Sequence, residues 1–251
     1  MISVAAAAPA VAASGAARPA IAWPQAPGVP ELHPGDAVYL VGIRGAGMSG
    51  LARVLAARGL RVAGSDVTAG SGPAKLGGHG IVVHVGHSAG NLPQDCRLVV
   101  ASPAVPADSP ELREARRRGI AITKRAVLIG ALMDSGRGVA VAGTHGKSTT
   151  AGLMAHVLSQ AGLDPTFFVG ARLPDLGTNA RSGGDLLVVE ADEYDGSFLH
   201  GCPWLAIVTN VEHDHPDCYP TADDVATAFG AFVSRVQADG LVVAWAGSGT
   251  T

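Results

Sequence analysis

Apolar residues in this chain fall into short unbroken runs separated by glycine-rich or polar breaks, and the pattern starts abruptly at Asp36. The run over 38–41 reads as a strand. Residues 48–58 follow as a helix, because Met48, Leu51, Val54 and Leu55 recur on one face and Gly59 closes it. A second strand over 61–64 ends at Ser65 and Asp66, and 81–85 and 98–101 read as further strands. Ser109 stands where it can cap a helix with Pro110 at its first position, Glu111 in its first turn and Gly119 past its end. A strand over 120–123 comes next.

A second unit starts near Gly138. Residues 139–142 read as a strand, 143–147 as a tight loop and 148–160 as a helix. The runs 186–189 and 205–208 are continuously apolar, as strands buried on both faces are. Residues 222–236 read as a helix and 241–245 as a strand. This alternation predicts an α/β protein: a Rossmann-like, doubly wound parallel-sheet domain over 36–135, then part of a P-loop-type α/β domain over 136–251. Residues 1–35 are rich in Ala and Pro and read as a disordered tail. They do not read as a secretory signal, since no Lys or Arg precedes Arg18 and Pro9 interrupts the alanine run.

Composition narrows the function. Hydrophobic residues make up 47% and charged residues 16%, which suits a packed core. A net charge of -3 argues against broad contact with nucleic acid or anionic membrane, so an anionic ligand must be held locally. No apolar stretch reaches the roughly 18 residues of a membrane helix. Cys96, Cys202 and Cys218 match no zinc spacing and read as reduced thiols of a cytoplasmic protein.

The strongest chemical signal is Gly143-Thr144-His145-Gly146-Lys147-Ser148-Thr149-Thr150, between a strand and a helix. Glycines let the backbone turn so that successive N–H groups face phosphate oxygens, and the helix N-terminus adds partial positive charge. Lys147 would bring a full charge to the β- and γ-phosphates and Ser148 a hydroxyl ligand for Mg²⁺. The common P-loop spacing wants glycine where Val141 stands. The earlier loop, with Gly42, Gly45 and Gly47, is a weak dinucleotide fingerprint. Asp66, about 20 residues on, stands where a ribose-binding acid would. A dinucleotide, a UDP-sugar or a ligand-free turn all fit that loop.

Glu190, Asp192, Glu193 and Asp195 crowd the end of one strand, which is not a core pattern. A carboxylate there can hold Mg²⁺ opposite Ser148. After the next strand come Thr209-Asn210-Val211-Glu212-His213-Asp214-His215. His215 could bind a second metal ion or the γ-phosphate, whereas His213 reads as a surface residue.

Taken in order, Gly-Thr-His-Gly-Lys-Ser-Thr, Glu-Ala-Asp-Glu-Tyr-Asp-Gly-Ser-Phe-Leu and Thr-Asn-Val-Glu-His-Asp-His resemble the signatures of the Mur ligase family. Residues 42–50 and Gly64-Ser65-Asp66 resemble the branch that adds L-alanine to UDP-N-acetylmuramate, and so do Arg125-Ala126, 161–166 and 177–181. The resemblance spans 36–239. It implies peptidoglycan synthesis through an acyl phosphate made with ATP. It implies that Gly143, Thr144, His145, Gly146, Lys147, Ser148 and Thr149 hold ATP. Lys147, Glu190 and His215 would be catalytic, with Ser148 and Glu190 on one Mg²⁺ and His215 on a second. Gly45, Ala46, Gly47, Met48, Ser65, Asp66 and Ser102 would face the UDP-sugar, joined by Thr178, Asn179 and Arg181 from the second unit.

Arg44 departs from the usual glycine, and Tyr194 stands where serine is common, as in the related murein tripeptide ligase. Residues 46–48 and 196–199 favour the alanine branch. The family has a third domain, and the chain ends inside the second, so little product is expected from the chain alone. A non-catalytic UDP-sugar- or ATP-binding remnant is a rival reading. So is a nicotinamide-dependent oxidoreductase, which leaves Lys147 and the acidic run without a role.

Overall fold

The computed structural model describes residues 28–68 and 76–245. Strand β1 (Ala37–Val41) is apolar throughout and buried on both faces, which places it at the centre of a sheet. Helix α1 (Ala46–Ala57), β2 (Arg61–Asp66), β3 (Val82–Val85), β4 (Cys96–Ala101), α2 (Pro110–Arg117) and β5 (Ala121–Lys124) follow. The sheet runs β3-β2-β1-β4-β5, and every pairing in it is parallel. Alternate residues of β1 serve opposite faces. Val38 and Leu40 pack with Leu51, Val54 and Leu55 of α1, while Tyr39 and Val41 pack with Leu112 and Ala115 of α2.

Helix α3 (Arg125–Asp134) leaves β5 without a break and was not among the expected elements. It lacks an N-cap hydrogen bond and an amphipathic stripe, because it is apolar nearly all round. Such a helix needs burial on most sides. It gets this between the two sheets, where Gly130 lies against the carbonyl of His200.

The second unit comprises β6 (Arg137–Ala142), α4 (Lys147–Gln160), β7 (Thr166–Leu173), β8 (Thr178–Arg181), β9 (Leu186–Glu190), β10 (Leu205–Val208), α5 (Ala222–Val233) and β11 (Leu241–Ala244). Its order is β11-β10-β6-β9-β7-β8. The antiparallel β7–β8 hairpin at its edge was also unexpected. Helix α5 is shorter than expected, starting from a capping box between Thr221 and Asp224 and stopping at Val233.

Two expectations need correction. Val29 and Leu32 are buried in the core, and the N–H of Gly35 donates to the carbonyl of Gly59, so packed chain begins before residue 36. Residues 1–27 of the expected tail lie outside the described residues. Ser109 does precede α2, but its side chain caps nothing.

The units share one core, in which Leu55 of α1 and Phe168 of β7 belong to a single cluster. Polar ties reinforce it. Arg53 Nη2 donates to Thr178 Oγ1 at 3.1 Å and to Asn179 Oδ1 at 2.8 Å, and Asn179 Nδ2 donates to the carbonyl of Ala46 at 3.2 Å. Among the described residues no helix is long and apolar enough to cross a membrane.

Candidate functional site

Both glycine loops sit at the C-terminal ends of parallel strands, where open α/β sheets bind ligands. The loop from β6 to α4 is pinned by the chain that follows β10. Gly143 has φ +136°, and a Cβ there would lie 2.0 Å from Thr209 Oγ1, so only glycine fits. Thr144 donates its N–H to the carbonyl of Asn210 at 3.1 Å and its hydroxyl to that of Glu212 at 3.2 Å. The N–H of His145 donates to Asn210 Oδ1 at 2.9 Å. Thr144 is thereby an anchor of the loop, with its hydroxyl turned inward. His145 and Thr149 are exposed, and Gly146 is left-handed at the N-cap of α4.

Lys147 pairs with Glu193 rather than with Glu190. Its ammonium group donates to Glu193 Oε2 at 2.8 Å and Oε1 at 2.9 Å, and to the carbonyl of Gly143 at 2.8 Å. The pair is shielded, with side-chain exposures of 14% for Lys147 and 3% for Glu193. His215 Nε2 lies 3.7 Å from Glu193 Oε1. His215 is also one of the non-glycine residues at positive φ (55°), and its ring meets Tyr194 edge-on. Tyr194 in turn donates its hydroxyl to Asp217 Oδ2 at 3.1 Å. His213 is exposed.

Ser148 and Glu190 do come together. Ser148 Oγ donates to Glu190 Oε1 at 2.8 Å, and the other carboxylate oxygen accepts from the N–H of Gly170 on β7. Two hard oxygen donors suit Mg²⁺, which keeps waters and phosphate oxygens for its remaining positions. Among the described residues no group of three or more His, Cys, Asp or Glu could hold a metal by itself.

The first-unit turn opens on a cavity of about 330 Å³ lined by Gly45, Ala46, Gly47, Met48, Ser102 and Asn179, together with Arg125, Val169 and Gly170. Most of the residues expected at the UDP-sugar therefore meet there. Ser65 does not, since it is 0% exposed and its hydroxyl lies 3.1 Å from His87 Nδ1 on the other face of the sheet. Asp66 shapes the turn from behind, accepting the N–H of Arg44 at 3.0 Å. Thr178, Asn179 and Arg181 line a neighbouring groove with Arg53 and Arg172. The guanidinium of Arg181 is held by Asp164 at 3.3 Å and lies over the ring of Phe167.

A further cavity of about 290 Å³ runs between α3 and the ends of β7 and β9, with Arg125, Gly170, Glu190, Asp192 and Ser197 on its walls. Burial pulls the Arg125 guanidinium below its ordinary pKa, against the opposing pull of Asp192 and then Glu190. Sequence reasoning assigned no individual role to Glu193, Arg53 or Arg125. Glu193 stood in the acidic run and Arg125 in a matched motif, but only the folded chain shows what each faces.

Residues 37–137 match the Mur ligase family, catalytic domain, and residues 141–249 match the Mur ligase middle domain. The chain is 46% identical to the UDP-N-acetylmuramate–L-alanine ligase of Carboxydothermus hydrogenoformans, over 82% of this chain and 45% of that protein. It is 50% identical to the enzyme of that name from Arthrobacter sp., over 83% of this chain and 45% of that protein. The chain thus spans about half the length of the curated relatives it matches. Among solved structures, UDP-N-acetylmuramate-alanine ligase MurC from Thermotoga maritima is similar with a TM-score of 0.74 and 32% identity, over 86% of this chain and 50% of that one. The UDP-N-acetylmuramate:L-alanyl-gamma-D-glutamyl-meso-diaminopimelate ligase from Neisseria meningitides gives a TM-score of 0.75 and 28% identity, over 86% and 73%.

Proposed function

Because the chain belongs to the Mur ligase family, we propose that it provides the sugar-nucleotide and ATP sites of a ligase that joins L-alanine to UDP-N-acetylmuramate in peptidoglycan synthesis. The observation that carries this reading is the Ser148–Glu190 pair at 2.8 Å, set at the head of α4 beside Lys147. Alanine as the acceptor rests on the names of the relatives quoted above.

In this proposal the lactoyl carboxylate of UDP-N-acetylmuramate attacks the γ-phosphorus of ATP, and ADP leaves. The amine of alanine then adds to the carbonyl carbon of the acyl phosphate. The tetrahedral adduct expels phosphate, and the amine proton passes to solvent. Both steps build negative charge on oxygen, so they call for cations and N–H donors rather than a covalent nucleophile. Lys147 and the loop N–H groups bind the phosphates. Ser148 and Glu190 would hold Mg²⁺, which supplies charge neutralisation on the triphosphate. For a second ion the chain offers His215 and Glu193 as neighbouring donors. The Gly45–Met48 turn, Ser102 and Asn179 would bind the sugar nucleotide.

Calorimetric titration of the chain with UDP-N-acetylmuramate and with ATP–Mg²⁺ tests the two sites. Lys147→Ala should weaken ATP by about 10–100-fold, the worth of a charge-assisted contact, and leave the sugar nucleotide unchanged. Equal loss of both ligands by a folded variant would mean that the two sites are not separate. Nicotinamide dinucleotide binding more tightly than the UDP-sugar would replace the ligase with an oxidoreductase.

A further inference from the structure

Arg125 opens α3 at the junction of the two units, and none of the roles above uses it. Its guanidinium lies so close to the α1 turn that a Cβ on Gly47 would meet Nε at 2.7 Å and Cζ at 2.9 Å. Nε is buried without a hydrogen-bond partner. Glu190 and Asp192 are near enough to act on it electrostatically, yet among the described residues neither is bonded to it. A guanidinium nitrogen withdrawn from water without a partner is unfavourable, and such an atom in a native fold calls for an explanation. Here the explanation has a shape. Arg125 lines the cavity at the glycine turn and also the cavity that leads to Glu190. Gly170, whose N–H holds Glu190, lines both.

We propose that Arg125 is the seat of the reacting carboxylate, gripping the acid of the sugar nucleotide between its diphosphate on the α1 turn and the phosphate site beside Glu190. This rests on the sugar-nucleotide reading given above. The diphosphate finds backbone N–H groups at the start of α1, whereas the carboxylate must lie further on, toward the triphosphate. That is the direction in which Arg125 bridges the two cavities. A planar guanidinium matches a carboxylate with two parallel N–H donors. Its charge also offsets the repulsion that Glu190 and Asp192 would exert on an incoming acid. An acid held in this way is oriented for attack on the γ-phosphorus.

Two nucleotide sugars that differ in the acid alone provide the test. Calorimetry on the chain would compare UDP-N-acetylmuramate with UDP-N-acetylglucosamine, which lacks the lactoyl group. Wild type should prefer the acid. Arg125→Ala and Arg125→Met should weaken the acid-bearing ligand by about 10–100-fold and alter the acid-free one by no more than about twofold. Arg125→Lys should restore part of the preference. Equal loss of both ligands would place the guanidinium on the diphosphate and overturn the proposal, and so would no loss of either. Variants that fail to fold would make Arg125 a structural residue and overturn it as well. If wild type binds neither sugar, the sugar-nucleotide reading itself falls and this inference falls with it. Wild type that binds both sugars equally would leave that reading standing and remove only the role of Arg125.

Discussion

The two glycine loops are built alike, strand to turn to helix, but they hold their cations in opposite states. At the second-unit loop the cation belongs to the loop itself, and it is already neutralised. Lys147 is enclosed by Glu193 and by carbonyls of its own turn. At the first-unit loop the cation comes from elsewhere in the fold. Arg125 reaches the turn from α3, and its buried Nε has no partner. On the proposed reading, a nucleotide arriving at Lys147 would displace a carboxylate, while an acid arriving at Arg125 would meet a nitrogen that has no hydrogen-bond partner. The two loops should therefore respond differently when their cations are removed. Removing one partner of a buried pair strands the other, whereas the described residues show no hydrogen-bond partner that loss of Arg125 would strand.

The largest expected effect breaks the comparison at its stronger end. Lys147→Ala should lower stability by about 3–5 kcal/mol, because Glu193 is left buried without its hydrogen-bonded cation and with only His215 nearby. Adding Glu193→Gln should recover a substantial part. Urea unfolding of the single and double variants measures this, and an undisturbed single variant would show the pair to be open to water. The next effect probes the turn. Gly143→Ala puts a Cβ against Thr209 at a positive φ and should cost about 2 kcal/mol by the same assay, with weaker ATP binding. A change below a few tenths would mean that the loop relaxes freely. The smallest effect concerns the tie between the units. Arg53→Ala should cost about 1 kcal/mol. It should also weaken UDP-sugar binding a few-fold, since Asn179 loses one of its two ties to α1 and keeps only that to the carbonyl of Ala46. Unchanged sugar affinity would separate Asn179 from that site.

What could be read from sequence differed by element. The βαβ alternation and both glycine turns were legible because each is a local pattern of period and punctuation. Helix α3 was not, because a segment that is apolar all round carries no amphipathic period to mark it. The β7–β8 hairpin was missed because Phe167 and Phe168 form a short apolar run without alternation, while the outer half of β7 is exposed. At the site, Gly45, Ala46, Gly47, Met48, Ser102 and Asn179 line one cavity. Ser65 and Asp66 follow the turn in sequence, but the pleat sends Ser65 to the opposite face and sets Asp66 behind the loop.

By itself, the sequence determined where the two glycine turns form, since glycine freedom, strand runs and helix starts act within a few residues of one another. It also determined which residue types could carry charge there. Which carboxylate meets which cation was decided by the tertiary structure alone. Ser148 meets Glu190 from 42 residues away, and Lys147 meets Glu193 from 46 away. These distances depend on β9 lying beside β6 in the sheet. Strand order arises from packing between segments remote in the chain, and no local pattern records it.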